Sequence, residues 1–194
     1  MRRAIEIRII AFLAALAAVL GVVPASQAAC TAGGSQVFSR WGDLNYYSLL
    51  PNGGFESGKN QWTLAGTASV ASGNESFELA GDGSWSLSLP AGSSALSPSF
   101  CIESATPLVR WVQRLASGTT GTLAVDALVN GTAYRLATVT GTSTVWAPSP
   151  QVGIWLSSFS ALTGTGILTA QLRIAAASGS WRVDAVYLDP LKRR

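Results

Sequence analysis

Residues 51–62 read PNGGFESGKNQW and are the most informative stretch of the chain. Its Asn-Gly-Gly start predicts a tight turn, because glycine adopts backbone conformations that are costly for other residues. Phe55 and Trp62 flank a polar loop and are expected in a hydrophobic core, whereas Glu56 is the acidic group of the segment. A second aromatic and apolar cluster, WRVDAVYLDP, stands at residues 181–190. We expect these two segments to frame one domain.

Short apolar or alternating runs fill the chain between these two segments. Trp85, Leu87 and Leu89 alternate with serines, which assigns the three side chains to the inner face of a strand. Asn130-Gly131 is typical of a β-hairpin turn. Such runs, separated by Gly, Ser, Asn and Pro, predict an all-β sandwich of two antiparallel sheets. The candidate strands cover residues 62–64, 68–71, 77–80, 85–89, 108–115, 123–129, 134–139, 152–157, 168–174 and 181–188.

The chain resembles carbohydrate-binding modules that have the galactose-binding-like jelly-roll fold. The residues that carry the resemblance are 52–56, Trp62, Val183, Asp184 and Val186. The resemblance implies that residues 51–190 form one jelly roll, in which the first and last strands are neighbours.

The same resemblance implies a structural calcium ion. In similar modules, the positions of Glu56 and Asp184 help to hold calcium, which takes about six to eight oxygen ligands. Carbonyl groups of residues 52–54 or 81–83 would complete the set. Similar modules often carry a further acid in the last strand, where this chain has Ala185. The alternative is that Glu56 accepts hydrogen bonds within a turn and Asp184 is a surface or capping acid.

The first 28 residues have the pattern of a secretory signal peptide. Three arginines precede an apolar run at residues 9–23, and Ser-Gln-Ala at residues 26–28 supplies a cleavage site. The run is shorter than the roughly 20 residues of a membrane-spanning helix. We predict a helical, cleaved signal peptide at residues 1–28, an arm at residues 29–50 packed on the domain, and a basic tail at residues 191–194. The mature protein is predicted to be secreted, without a membrane span.

The chain has two cysteines, Cys30 and Cys101. An exported protein with two cysteines is expected to pair them, and closing so long a loop stabilises a fold by about 4 kcal/mol. Cys30 follows the cleavage site directly, which is also where a lipid-anchored cysteine stands. Lipoprotein signals have a leucine-like residue three positions earlier, and here Gln27 stands there. We therefore predict a disulfide and not a lipid anchor.

The charge distribution does not indicate a polyanionic partner. The net charge is +3, but three of the 13 basic residues and one of the 10 acidic residues lie within residues 1–28, and residues 192–194 are all basic. The body between them has more acidic than basic residues, so nucleic acid is not an expected partner.

Tryptophan is abundant, with seven residues in the chain. Sugars stack on exposed indole rings, and polar neighbours hydrogen-bond their hydroxyl groups. Most of the tryptophans are assigned to the core, but Trp111 lies between two arginines. The predicted ligand-binding residues are Trp111, Trp155, Arg110, Arg114 and Arg173.

Catalysis has little support in the sequence. The chain has no histidine, which removes the commonest general base and the usual catalytic triads. Glu75 and Glu78 are the closest acidic pair, but on one strand their odd separation would put them on opposite faces, away from a shared glycosidic bond. We predict a protein that is not an enzyme and requires no cofactor beyond the calcium considered above.

Two functions fit these observations. The first is a secreted, non-catalytic β-sandwich that binds polysaccharide or a glycan of the cell envelope through a shallow face with aromatic and arginine side chains. The alternative is a structural or protein-interaction module of the bacterial cell surface without a sugar ligand, since one fold supports many functions. Exposed Trp111 and Trp155 rings would favour the first function, and buried rings the second.

Overall fold

The computed structural model describes residues 34–102, 107–154 and 168–189. The predicted signal peptide, the start of the arm with Cys30, and the basic tail lie outside these ranges. The described residues form a short 3-10 helix at Ser39–Trp41 and a series of β-strands. Among these residues there is no helix long and apolar enough to cross a membrane. The strands are β1 (Ser48–Leu49), β2 (Thr63–Ala65), β3 (Ser69–Ser72), β4 (Trp85–Leu89), β5 (Ser94–Leu96), β6 (Phe100–Ile102), β7 (Leu108–Val129), β8 (Thr132–Gly141), β9 (Ala147–Pro148), β10 (Val152–Gly153) and β11 (Leu168–Asp189).

Strands β7 and β11 contain 22 residues each and contribute to both layers of a β-sandwich. Residues 108–115 pair with residues 181–189, and β1, β3, β4, β9 and β10 complete this layer, sheet I. Residues 123–128 pair with residues 171–176, and β2, β5, β6 and β8 complete the other layer, sheet II. All of these pairings are antiparallel. The predicted two-sheet antiparallel sandwich is therefore confirmed.

Glycine is required where the two long strands bend from one sheet into the other. A Cβ atom on Gly121 would lie 2.8 Å from Leu115 Cδ2 and 2.8 Å from Trp181 Nε1. Gly179 has a φ of 70° and packs against Gly121, so a Cβ there would lie 2.9 Å from the Gly121 Cα. Two glycines facing each other thus let Trp181 fill the corner of the core.

The opening segment and the last strand contact each other directly. Residues 51–62 form successive turns, in which Phe55 and Trp62 are buried with ring centroids 5.0 Å apart. The Val186 N–H donates to the Gly53 carbonyl at 3.0 Å. A Cβ atom on Gly53 would lie 2.6 Å from the Val186 oxygen, so only glycine allows this approach. The segment is a turn region that closes the sandwich.

Residues 77–80 form turns, and the strand predicted there is absent. The Glu75 carboxylate accepts hydrogen bonds from the N–H groups of Phe77 and Leu79, each at 2.5 Å. Glu78 has a positive φ of 56°. A side chain that binds the amides two and four residues later curls the chain, because those amides can no longer join a neighbouring strand.

The described part of the arm, residues 34–50, lies across the outer face of sheet I. Phe38 and Tyr47 are buried against outward-facing residues of β7 and β11, forming a second, smaller apolar cluster. The Phe38 ring contacts the rings of Tyr47 and Tyr187 edge-on, with centroids 5.1 and 5.7 Å apart. Tyr47 and Ser35 exchange two backbone hydrogen bonds of 3.0 Å. The arm therefore covers one face of the sandwich.

Candidate functional site

Trp111 is a core residue. It is 0% exposed, and its indole N–H donates to Gln113 Oε1 at 2.7 Å. Its ring lies between the two sheets, because odd-numbered positions of this part of β7 point inward. The prediction that Trp111 stacks on a ligand is therefore wrong. Trp155, the other predicted platform, lies outside the described residues.

Arg110 is held by the arm and is not available to a ligand. Its Nη1 donates to Asp43 Oδ2 at 2.5 Å, and its Nε donates to the Ser149 carbonyl at 2.9 Å. The guanidinium carbon lies 4.7 Å from the centroid of the Phe38 ring. Only 10% of the Arg110 side chain and 3% of the Asp43 side chain are exposed. Its assignment as a ligand-binding residue is corrected: Arg110 attaches the arm to sheet I.

Asp43 is the acceptor at the centre of this attachment. Burial by itself raises the pKa of Asp43, but hydrogen bonds outweigh burial and lower the pKa to about 2. The donors are the Gln151 side chain, the Asn45 N–H, the Tyr47 hydroxyl and Arg110. Burial, followed by the contact with Asp43, raises the pKa of Tyr47, so its hydroxyl keeps the proton that it donates.

The two remaining predicted arginines lie on different sheets. Arg114 is on the outer face of sheet I, where its guanidinium carbon lies 5.2 Å from the centroid of the Trp146 ring. Arg173 is on the outer face of sheet II, with 39% of its side chain exposed, and it donates to Asp126 Oδ2 from Nε and Nη2 at 2.9 and 2.7 Å. The four predicted ligand-binding residues that the structure describes are therefore not brought together in one site.

Asp184 is fully buried beside other acidic groups. Its Oδ2 accepts the Glu75 N–H at 3.0 Å, and its Oδ1 accepts the Ala185 N–H at 2.7 Å. Burial raises the pKa of Asp184 to about 7, to which the charges of Glu75 and Glu56 contribute while the two hydrogen bonds oppose it. Asp184 thus serves as an internal acceptor for two backbone amides.

Glu56 caps the start of β4. Its Oε1 accepts the Trp85 N–H and its Oε2 accepts the Ser84 N–H, both at 3.0 Å. Every carboxylate oxygen of Glu56 and Asp184 is therefore engaged with the backbone. Within the described ranges, no group of three or more His, Cys, Asp or Glu residues is arranged to hold a metal ion. This donor set does not fit the calcium cage that the resemblance implies.

Trp85 is exposed, contrary to its assignment to the inner face of β4. It is 43% exposed, whereas the other tryptophans of the described ranges are buried or half-buried. Leu87 and Leu89 on the same side of β4 are fully buried. Strand β11 pairs with β4 only from Leu87 to Leu89, so Trp85 lies beyond the part of β4 that is paired on both sides, and its ring is less covered. The alternation of residues predicted the correct side of the strand but not where the sheet ends.

Polar side chains stand beside the exposed ring. A Cβ atom on Gly83 would lie 2.5 Å from Glu56 Oε1 and 2.9 Å from both amide atoms of Asn74, so glycine lets these two groups approach each other. In the described part of the chain, neither the Asn74 amide nor the Trp85 indole N–H has a hydrogen-bond partner. Glu56, Asn74, Gly83 and Trp85 are called the Trp85 site below. An exposed ring beside free donors and acceptors suits a ligand with hydroxyl groups.

Comparison with solved structures identifies the type of fold. The chain is similar to a tandem of two family 22 carbohydrate-binding modules from Paenibacillus barcinonensis, with a TM-score of 0.52, 14% identity and coverage of 84% of this chain and 49% of the tandem. It is also similar to a family 22 xylan-binding domain, with a TM-score of 0.50, 17% identity and coverage of 78% and 99%. No family model and no curated protein matches the sequence. The chain folds as a carbohydrate-binding-module-like β-sandwich, as the resemblance implied.

Proposed function

We propose that the protein binds a glycan at the Trp85 site. The observation that carries the proposal is the exposed Trp85 ring, with the Asn74 amide and the Glu56 carboxylate beside it. The ring would stack on the apolar face of a sugar, and the amide would exchange hydrogen bonds with its hydroxyl groups. Trp85 is the first residue of β4, so the site lies at one end of sheet I.

The similar structures support the same class of ligand. One is a xylan-binding domain, and another, from Clostridium thermocellum with a TM-score of 0.50, 14% identity and coverage of 70% of this chain and 27% of that one, is a module and xylanase in complex with xylohexaose. At such identities the likeness speaks for the fold, so the proposal rests on the Trp85 site itself.

We also propose that binding is not coupled to catalysis and takes place outside the cell. Glu56, Glu75 and Asp184 each use both carboxylate oxygens as acceptors for backbone amides, which leaves them poorly suited to act as an acid and a nucleophile. Residues 1–28 have the pattern of a signal peptide, which supports export.

A glycan array with the purified protein tests the proposal. We expect retention on at least one neutral glycan, and a Trp85→Ala variant should bind that glycan at least about tenfold more weakly, because truncating an aromatic contact at the centre of a site has effects of this size. The matched control is Tyr46→Ala, which removes another exposed ring, 61% exposed, from the arm. Absence of retention on any glycan, or equal binding by the Trp85 variant, would overturn the proposal.

Two observations favour the alternative function. The first is the burial of the Trp111 ring, which would have supported a sugar ligand had it been exposed, and the second lies on the arm. The arm exposes three apolar side chains, Leu44, Tyr46 and Leu49, at 65%, 61% and 38%. Exposed apolar groups on one segment are typical of a surface that contacts another protein. If the protein is a protein-interaction module, Tyr46→Ala should weaken retention on isolated cell envelopes and Trp85→Ala should not, which is the reverse of the result expected for glycan binding.

A further inference from the structure

A charged triad lies on the outer face of sheet II, away from both the arm and the Trp85 site. Asp126 on β7 is the register partner of Arg135 on β8 and of Arg173 on β11. Arg135 Nε donates to Asp126 Oδ1, and Arg173 Nε and Nη2 donate to Asp126 Oδ2. The three side chains therefore form one row across three neighbouring strands.

The triad combines a buried acid with two exposed bases. The Asp126 side chain is 3% exposed, whereas 53% of the Arg135 side chain and 39% of the Arg173 side chain are exposed. Because guanidinium groups stay protonated, the triad carries a net positive charge. The two guanidinium groups thus cover the carboxylate that orients them, and the solvent-exposed charge of the triad is positive.

Both guanidinium groups keep unused donors. Arg135 engages only Nε, and Arg173 engages Nε and Nη2, so both terminal nitrogens of Arg135 and Nη1 of Arg173 lack acceptors within the described residues. Asp126 fixes the planes of the two groups in advance, which reduces the entropy lost when they bind a ligand. Planar donor pairs of this kind match the geometry of a carboxylate.

The surroundings of the triad are aliphatic or polar. On this face the neighbouring positions include the small or polar residues Ala124, Ala175, Ser94 and Thr63, and the half-buried Leu96 and Leu128. None of the outward positions in the described strands of sheet II is aromatic, so this face offers charge and hydrogen bonds and no stacking platform.

We propose that Arg135 and Arg173 bind the carboxylate of an acidic polysaccharide, one that contains uronic acid residues. The choice of a polysaccharide rests on the proposed glycan-binding function, but the site and the chemistry are different from those of the Trp85 site. A uronate presents a carboxylate for the two guanidinium groups and hydroxyl groups for the neighbouring serine and threonine side chains.

Binding to polygalacturonate, compared with its fully methyl-esterified form, tests the proposal in affinity electrophoresis. The two polymers have the same backbone and differ in charge at the carboxyl group. We expect the protein to bind the acid and not the ester, and an Arg135→Gln variant to bind about tenfold more weakly. Arg135→Gln is preferred to a change at Arg173, because it leaves the pair between Arg173 and Asp126 intact.

The matched control is Arg40→Gln, which removes the same charge from an exposed position on the arm. It should bind polygalacturonate as the unchanged protein does, and Trp85→Ala should do so too. Equal binding of acid and ester, equal losses in the Arg135 and Arg40 variants, or no retention on polygalacturonate would overturn the proposal. If the unchanged protein bound polygalacturonate but no neutral glycan, only the proposed function at the Trp85 site would be contradicted.

Discussion

Asp43 and Arg110 meet beneath the arm in a region that is almost closed to water. The pair is accompanied by the Tyr47 hydroxyl and the Phe38 ring, so each charge has several partners. Burying an ion pair is costly unless such partners compensate for the lost hydration. The position of the arm therefore depends on a few individual side chains.

We expect Asp43→Asn to destabilise the protein by about 2 kcal/mol, since a carboxyl pKa lowered from 3.8 to about 2 corresponds to stabilisation of this size. The lowered pKa belongs to the folded state, so this contribution is present above pH 3.8 and is lost as the pH falls through about 2. Urea unfolding of both proteins as a function of pH measures the difference.

The control for this prediction is Asp82→Asn, at an exposed position in a turn. It should change the free energy of unfolding by no more than about 0.5 kcal/mol. If the Asp43 and Asp82 variants unfold alike near neutral pH, or if the Asp43 difference persists at pH 2, the ion pair does not have the role described.

Glu56 and Asp184 are the two acidic residues that would hold calcium. Their oxygens accept backbone N–H groups, so we expect EDTA to leave the melting temperature unchanged, and added calcium to have no effect. Differential scanning calorimetry with EDTA, with calcium and with magnesium as control measures this. A fall in melting temperature with EDTA that calcium alone reverses would establish the ion that the resemblance implies.

At the scale of the elements, β11 is interrupted by a bulge at Ala185. The register with β7 shifts between Asp184 and Tyr187, and Ala185 has a φ of 49°, which is uncommon for a residue with a side chain. Its methyl group is fully buried in the cluster beneath the arm. Where similar modules often have an acid, this chain therefore has a small apolar contact for the arm.

We expect Ala185→Asp to loosen the arm, because a carboxylate buried without a partner costs at least about 2 kcal/mol. Limited proteolysis followed by mass spectrometry should show faster cleavage within residues 34–50. The control is Ala185→Gly, which tolerates the positive φ and adds no charge, and its stability should change by no more than about 1 kcal/mol. Equal cleavage of the aspartate variant and the unchanged protein would contradict this account.

The strands were predictable from the sequence where apolar and polar side chains alternate. The positions at which the strands end were not predictable. Residues 85–89 and 168–174 lie in strands as predicted. Residues 108–115 and 123–129 belong to one strand, because hydrogen bonding continues through the bend that their glycines and serines permit. Exposure of Trp85 was missed for a related reason, since alternation indicates a face but not the last position that the sheet covers.

At the scale of the whole molecule, the predicted disulfide would connect the start of the arm to sheet II. Cys101 is buried in β6, and Cys30 lies outside the described residues. We expect protein exported to an oxidising compartment to show an intact mass lower by two hydrogen atoms than its reduced form. Cys30→Ser should lower the free energy of unfolding by about 4 kcal/mol.

Labelling with iodoacetamide under denaturing conditions provides the control for this prediction. Without reductant neither cysteine should be labelled, and after reduction both should be. A free thiol in the unreduced protein, or a lipid adduct on Cys30, would contradict the pairing.

The class of fold was predictable from the sequence alone. Its alternating apolar residues, glycine turns and paired framing segments sufficed to predict a two-sheet sandwich with Phe55 and Trp62 in its core. Which surfaces are open, in contrast, follows from tertiary packing. Three such features depend on segments that are distant in sequence: the arm buries Arg110, the Trp111 ring lies between the sheets, and the Trp85 ring is exposed. No local pattern of residues indicates where distant segments pack.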